Sequence, residues 1–343
     1  GFEYAQGGFV VTGLLGCLLA LVVWKFGTDW IDIVLPPAAM GPVVALIGLE
    51  LAANTVKGGA IGADLMAVNP EGGLMLSPTM ETGDILVFAV TLGVAVFGSV
   101  LFRGFLSVIP LLIAMICGYL TAVAAGVVDF SPLQNVSLFT IPDFHIAKFD
   151  LNAILTICPV ILVITAEHIG HQVVTSKIVG RDLLKEPGLH RSLLGDNLST
   201  AFSGLFGSVP TTTYGENIGV MAVTGVYSVQ VIAGAAVISI LMAFIGPLSA
   251  FIATIPGDVI GGITFLLYGM IGTSGLRILV DKKVDYGKNR NLILTSVVFV
   301  AGLSGLTLTF GAVSITGMTL AAVTAVIISL LFYLLEKAGL MND

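Results

Sequence analysis

Apolar stretches recur along the chain near 8–24, 36–53, 85–101, 104–127, 151–176, 192–208, 212–225, 227–245, 256–275, 291–306 and 318–335. Polar or turn-rich connections separate them, the longest at 54–83, 128–150, 177–191 and 276–290. About 20 mainly apolar residues cross the hydrocarbon core of a bilayer as a helix. The pattern therefore predicts an all-α polytopic membrane protein with eleven apolar segments. One of them, 212–225, is too short to cross by itself.

Composition agrees. Of 343 residues, 56% are hydrophobic and 10% charged, and the mean hydropathy is +1.05. A soluble domain carries roughly a quarter charged residues. A soluble enzyme, a nucleic-acid binder and a disulfide scaffold are all excluded on this ground. Cys17, Cys117 and Cys158 stand singly in apolar runs and read as packing residues.

The net charge of −7 conceals a sidedness. Alternating the connections along the spans places Lys25, Arg103, the basic residues of 177–191 and 277–290, and Lys337 on one side; only Lys57 and Lys148 fall on the other. The positive-inside rule makes the basic side cytoplasmic, with the C-terminus. The opposite connections carry Asp64, Glu71, Glu81 and Asp84, then Asp129, Asp143 and Asp150. With an odd number of spans the N-terminus lies outside, and further N-terminal helices are expected to precede Gly1. Pro37-Ala38-Ala39-Met40-Gly41 and Pro256-Gly257-Asp258-Val259-Ile260-Gly261 open spans seven apart, so equivalent helices would run in opposite directions. Inverted repeats of this kind mark transporters.

Two acids fall within spans. A charged side chain at membrane depth costs at least ~2.5–3.5 kcal/mol, which makes each a functional candidate. Glu167 lies in Ala166-Glu167-His168-Ile169-Gly170-His171; the i, i+4 spacing puts Glu167 and His171 on one helix face, where they can share a proton. His168 points elsewhere and reads as a packed histidine. No third or fourth ligand converges, so no metal is expected. Glu216 follows Ser208-Val209-Pro210-Thr211-Thr212-Thr213-Tyr214-Gly215. Pro210 and three β-branched threonines favour an extended chain, and Gly215 lets it turn into a half-helix ending near Thr224. A Pro-Gly kink in an ordinary helix is the competing reading. A half-helix starting inside the membrane offers free N–H groups at Gly215 and Glu216 beside a carboxylate. Such a set suits a flat molecule with paired N–H and C=O groups, such as a pyrimidine or purine. A membrane-embedded hydrolase built on Glu167 and His171 is disfavoured, because no nucleophile or metal lies at clear spacing, and no catalytic residue is assigned.

Glu216-Asn217-Ile218-Gly219 with Thr224-Gly225 resembles the signature of the nucleobase–ascorbate transporter family, and Ala166–His171 is similar to that family's other binding helix. Leu35–Gly41, Gly98–Leu106, Pro187–Arg191 and Val284–Tyr286 resemble stretches of its bacterial uracil permeases. Gly225 stands where those permeases commonly carry Arg. The resemblance implies fourteen spans in two inverted repeats of seven, about eleven of them present here. It implies a core domain of 8–24 and 151–245 and a gate domain of 36–127 and 256–338. The family's third span supplies a second short strand opposite 210–215, so this stretch by itself is expected to lack one wall of the site. It further implies inward movement of uracil across the bacterial inner membrane with a proton as coupling ion and no other cofactor. Glu167, Gly215 and Glu216 would bind the base, Glu167 and His171 would couple the proton, and Tyr214 and Asn217 would shape the site. The acid at 216 favours uracil over a purine; a purine, xanthine or anion carrier of the same fold is the alternative. Expected partners are the nucleobase, the lipid bilayer and a second copy of the chain; no nucleic acid is expected.

Overall fold

A computed structural model describes residues 1–56, 66–68, 74–76, 82–311 and 313–341. Lys57, Asp64, Glu71 and Glu81, counted above on the outer side, lie outside the described residues.

The chain opens with α1 (Phe2–Phe26), a single turn α2 (Ile31–Val34) and α3 (Pro37–Val56). A short hairpin of β1 (Met66–Val68) and β2 (Leu74–Leu76) precedes α4 (Thr82–Leu101). The apolar run 104–127 is not one helix. Residues 104–108 form a 3-10 turn, and α5 (Pro110–Ala125) starts at Pro110, whose ring suits a first helical turn and whose missing N–H cannot continue a preceding one. Gly126, at φ 75°, ends it in the left-handed conformation. Pro159 likewise divides the next span: α6 (Leu151–Ile157) meets a turn at 158–160 before α7 (Ile161–Val179). The Asp150 carboxylate caps α6 by accepting from the Ala153 N–H at 3.0 Å. Then follow α8 (Leu189–Phe206), α9 (Gly215–Thr224), α10 (Val229–Met242), α11 (Gly246–Ala253), α12 (Gly257–Asp281) and α13 (Asn289–Leu303). A hairpin of β3 (Thr307–Phe310) and β4 (Val313–Thr316) leads into α14 (Gly317–Lys337).

Every apolar segment read from the sequence thus holds a helix. Among the described residues, 2–26, 82–101, 151–179, 257–281 and 317–337 are long and apolar enough to span a bilayer. Leucine, valine and isoleucine side chains stand exposed along them, Leu18 and Val100 among others. In water such surface would be a liability; in lipid it is the ordinary exterior. The molecule is an all-α polytopic membrane protein.

The chain forms two compact units. The first comprises Gly1–Glu50, Asp143–Ile218 and Ile271–Asp343. Its core gathers Leu46, Val163, Leu193, Leu294 and Val298. Small residues let its helices approach closely, as membrane helices without a hydrophobic drive between them require. A methyl group at Gly13 of α1 would fall 2.6 Å from the Ala201 amide nitrogen and the Asn197 carbonyl oxygen of α8. Asn197 is buried against α1, its side-chain amide donating to the Leu193 carbonyl at 2.8 Å. Gly41 of α3 faces Leu279 and the Gly275 carbonyl of α12, Ala45 faces Gly275, and Leu49 faces Gly272. Rising numbers on one helix meet falling numbers on the other. The two helices that open on the Pro/Gly signatures therefore pack antiparallel.

The second unit comprises Leu51–Pro142 and Gly219–Met270. Thr91 of α4 is fully buried between Gly118 of α5 and Gly262 of α12, and its hydroxyl donates to the Val87 carbonyl at 2.7 Å. Tyr119 and Thr254 share a 2.8 Å hydroxyl pair. In the connection after α5, the Ser131 hydroxyl and amide both donate to Asp129 and hold its carboxyl below the usual carboxylate range.

Candidate functional site

The site candidates come together where α8 stops short of α9. Gly207, at φ 101°, ends α8 in a left-handed turn, and Pro210 with the threonines after it keeps 208–214 out of helix. Non-helical backbone at membrane depth must find its hydrogen bonds within the protein. Hydroxyls of α8 supply several of them. Ser203 Oγ donates to the Val209 carbonyl at 2.8 Å, and Thr200 Oγ1 donates to the Thr211 carbonyl at 2.9 Å while accepting from the Thr211 N–H at 3.1 Å. The Ser208 N–H closes onto the Ser203 carbonyl at 2.9 Å. The helix then restarts at Gly215, where the sequence places it.

α7 faces this break with Glu167 and His171, one turn apart. Thr212 Oγ1 donates to Glu167 Oε2 at 3.2 Å, and Thr213 Oγ1 lies 2.6 Å from His171 Nδ1. The other ring nitrogen, Nε2, sits 3.3 Å from where a methyl group on Gly215 would be, close enough that the ring would have to give by a few tenths of an ångström. Glu216 follows in the first turn of α9, half-buried. Tyr214 and Asn217 are exposed at the start of α9. Glu167 and His171 share a face as their spacing predicts. Each is hydrogen-bonded to its own threonine and not to the other.

His168 is packed away, 1% exposed, with both ring nitrogens engaged: Nδ1 lies 3.1 Å from Asp196 Oδ2 and Nε2 lies 2.9 Å from Ser192 Oγ. His168 is packed as its place in the sequence suggests, whereas Asp196 is not among the acids picked out above. Its signal was there, an acid inside the apolar run 192–208. Although the three side chains stand in the order acid, imidazole, hydroxyl, the Ser192 hydroxyl is itself within 3.0 Å of the Leu189 carbonyl. Its imidazole partner is sealed from solvent. The trio ties α7 to α8 directly behind Glu167. Among the described residues no group of three or more His, Cys, Asp or Glu side chains is disposed to hold a metal ion.

A second acid not among the candidates above has a structural partner. Glu50, in the apolar helix α3, accepts the Met318 N–H at 2.6 Å and so satisfies a free donor at the start of α14. Gly317, at φ 55°, leaves room for it, since a methyl group there would overlap the carboxylate.

A multi-pass helical protein with acids bordering an interrupted span has the build of a transporter. Residues 1–311 match the model of a family described as the permease family. The chain is 49% identical to the uracil permease of Escherichia coli strain K12 over 336 residues, which is 98% of this chain and 76% of that one. It is 49% identical to the uracil permease of Paenibacillus larvae over 342 residues, 100% of this chain and 79% of the other. Against the uracil permease of Bacillus subtilis strain 168 it is 44% identical over 335 residues, covering 95% and 75%. The chain belongs to the nucleobase–ascorbate transporter family of permeases, which are carriers and not enzymes.

Proposed function

We propose that this protein carries uracil across the bacterial inner membrane, driven by a coupled proton and with no other cofactor. The observation that bears most weight is that Glu167 reaches the break between α8 and α9 through Thr212, with Glu216 in the first turn of the helix that restarts there. The names of the relatives support uracil as the cargo.

In this reading the base is held by the Glu167 and Glu216 carboxylates and the Gly215 N–H, with His171 joining Glu167 in handling the proton. Tyr214 and Asn217 shape the start of α9. Residues 8–24 and 151–245 act as the substrate-carrying core and 36–127 and 256–338 as the gate. The basic connections and the C-terminus face the cytoplasm, and two copies pair through the gate. Sites that hydrogen-bond a ligand's N–H discriminate sharply, because an analogue lacking it leaves a buried acceptor unpaired.

Competition decides the cargo. Uptake of labelled uracil by the full-length protein should fall with excess unlabelled uracil and be unmoved by xanthine, guanine or sulfate. Displacement by xanthine or guanine, with uracil inert, would assign a purine instead; displacement by sulfate would assign an anion.

A further inference from the structure

Thr212 and Thr213 are consecutive, and in a regular pleated strand consecutive side chains point to opposite faces. Here both reach the same helix. Thr212 Oγ1 contacts Glu167 and Thr213 Oγ1 contacts His171, residues one turn apart on α7. The stretch 208–214 has no ladder partner among the described residues, so its path is free to twist and set both hydroxyls against one face.

These are the side-chain hydrogen bonds that Glu167 and His171 make among the described residues. The neighbouring His168 differs, with both ring nitrogens occupied by protein. Thr212 takes up Oε2 of Glu167 and leaves Oε1 for another donor. Thr213 takes up Nδ1 of His171 and leaves Nε2 directed at the start of α9 beside Gly215. A hydroxyl both donates and accepts. Thr213 can therefore donate to a neutral imidazole or accept from a protonated one without any heavy atom moving. The backbone of the same stretch is fixed independently, through Thr211 and Val209 to the hydroxyls of α8.

We propose that Thr212 and Thr213 are positioning residues forming a two-hydroxyl clasp: Thr212 fixes which Glu167 oxygen faces the ligand, and Thr213 fixes the ring orientation of His171. The assignment rests on the reading above, that Glu167 and His171 serve the base. The clasp joins the carrying helix to the break in the chain through two hydroxyls, each of which can be removed without touching the Thr211 and Val209 anchors to α8.

Valine has the shape of threonine without the hydroxyl, and serine keeps the hydroxyl without the branch. Uracil binding to the full-length purified protein is measured for Thr212→Val, Thr213→Val, Thr212→Ser and Thr213→Ser. Loss of one hydrogen bond to a binding group is expected to weaken uracil about tenfold in each valine variant, with the serine variants within about threefold of wild type. In protein labelled with 15N-histidine, Thr213→Val is expected to move the His171 ring signals, assigned through His171→Gln. Thr213→Ser and Thr212→Val should leave them in place. If a valine variant does not fold, the alanine and serine variants are compared in the same way. Wild-type binding in both valine variants, or equal losses for valine and serine, would overturn the clasp. Glu167→Gln and Glu216→Gln are run alongside: if they too bind uracil normally, the site itself is wrong, whereas loss in these two with normal binding in the valine variants removes the clasp only.

Discussion

Asp196 of α8 and His168 of α7 meet at 3.1 Å with both side chains almost fully buried, one residue along from the acid that faces the chain break. The pair holds the back of α7 while its front presents Glu167 and His171. Removing the carboxylate leaves a buried ring nitrogen without a partner, which costs about 1–3 kcal/mol. Asp196→Ala is expected to lower the melting temperature of the detergent-solubilised protein. Asp196→Asn, which keeps an acceptor, should lower it less. Equal melting temperatures for wild type and Asp196→Ala would show that the pair carries no stability.

Gly215 separates activity from stability. Its φ is not positive, so alanine suits its backbone and, at the first turn of α9, is a better helix former. The new methyl group would lie 3.3 Å from His171 Nε2, closer than the ring accepts without giving way. Gly215→Ala should lose uracil uptake about tenfold, the equivalent of one misplaced hydrogen bond. Its melting temperature should stay at the wild-type value or above. Normal uptake would place the ligand away from this face of His171.

At the α1–α8 contact the obstacle is backbone, not a movable side chain. A methyl group at Gly13 meets the Asn197 carbonyl and the Ala201 amide, so the helices must part. Gly13→Ala is expected to destabilise by about 1–3 kcal/mol, as overpacking does. Gly93→Ala, in open space on α4, should not. Equal thermal unfolding of the two variants would contradict the packing.

Proton coupling has a sign. If a proton enters with the base, raising the external pH removes inward driving force. Initial uptake should then fall as external pH rises and collapse with a protonophore. Uptake indifferent to both would leave the carrier without its coupling ion.

The sequence shows the spans and the break between α8 and α9 because their causes are local. Runs of apolar residues suit lipid wherever they fold, and Pro210, the threonines and Gly215 dictate a turn by their own backbones. Other local signals act in the same way: Pro110 and Pro159 each divide an apolar run, and Thr307–Thr316 alternates about Gly311 to make a hairpin. Partnerships across long sequence separations are a different matter. That Thr212 belongs to Glu167, Asp196 to His168 and Glu50 to the start of α14 depends on how helices pack, which no local pattern encodes.

The central claim is that Glu167 and Glu216 accept hydrogen bonds from one shared base. Equilibrium binding of uracil to the folded full-length protein, compared with Glu167→Gln and Glu216→Gln, tests it most directly. Each substitution keeps the side-chain shape and replaces one accepting oxygen with a donor, so binding should weaken at least about tenfold in both. Wild-type affinity in either variant would contradict the account.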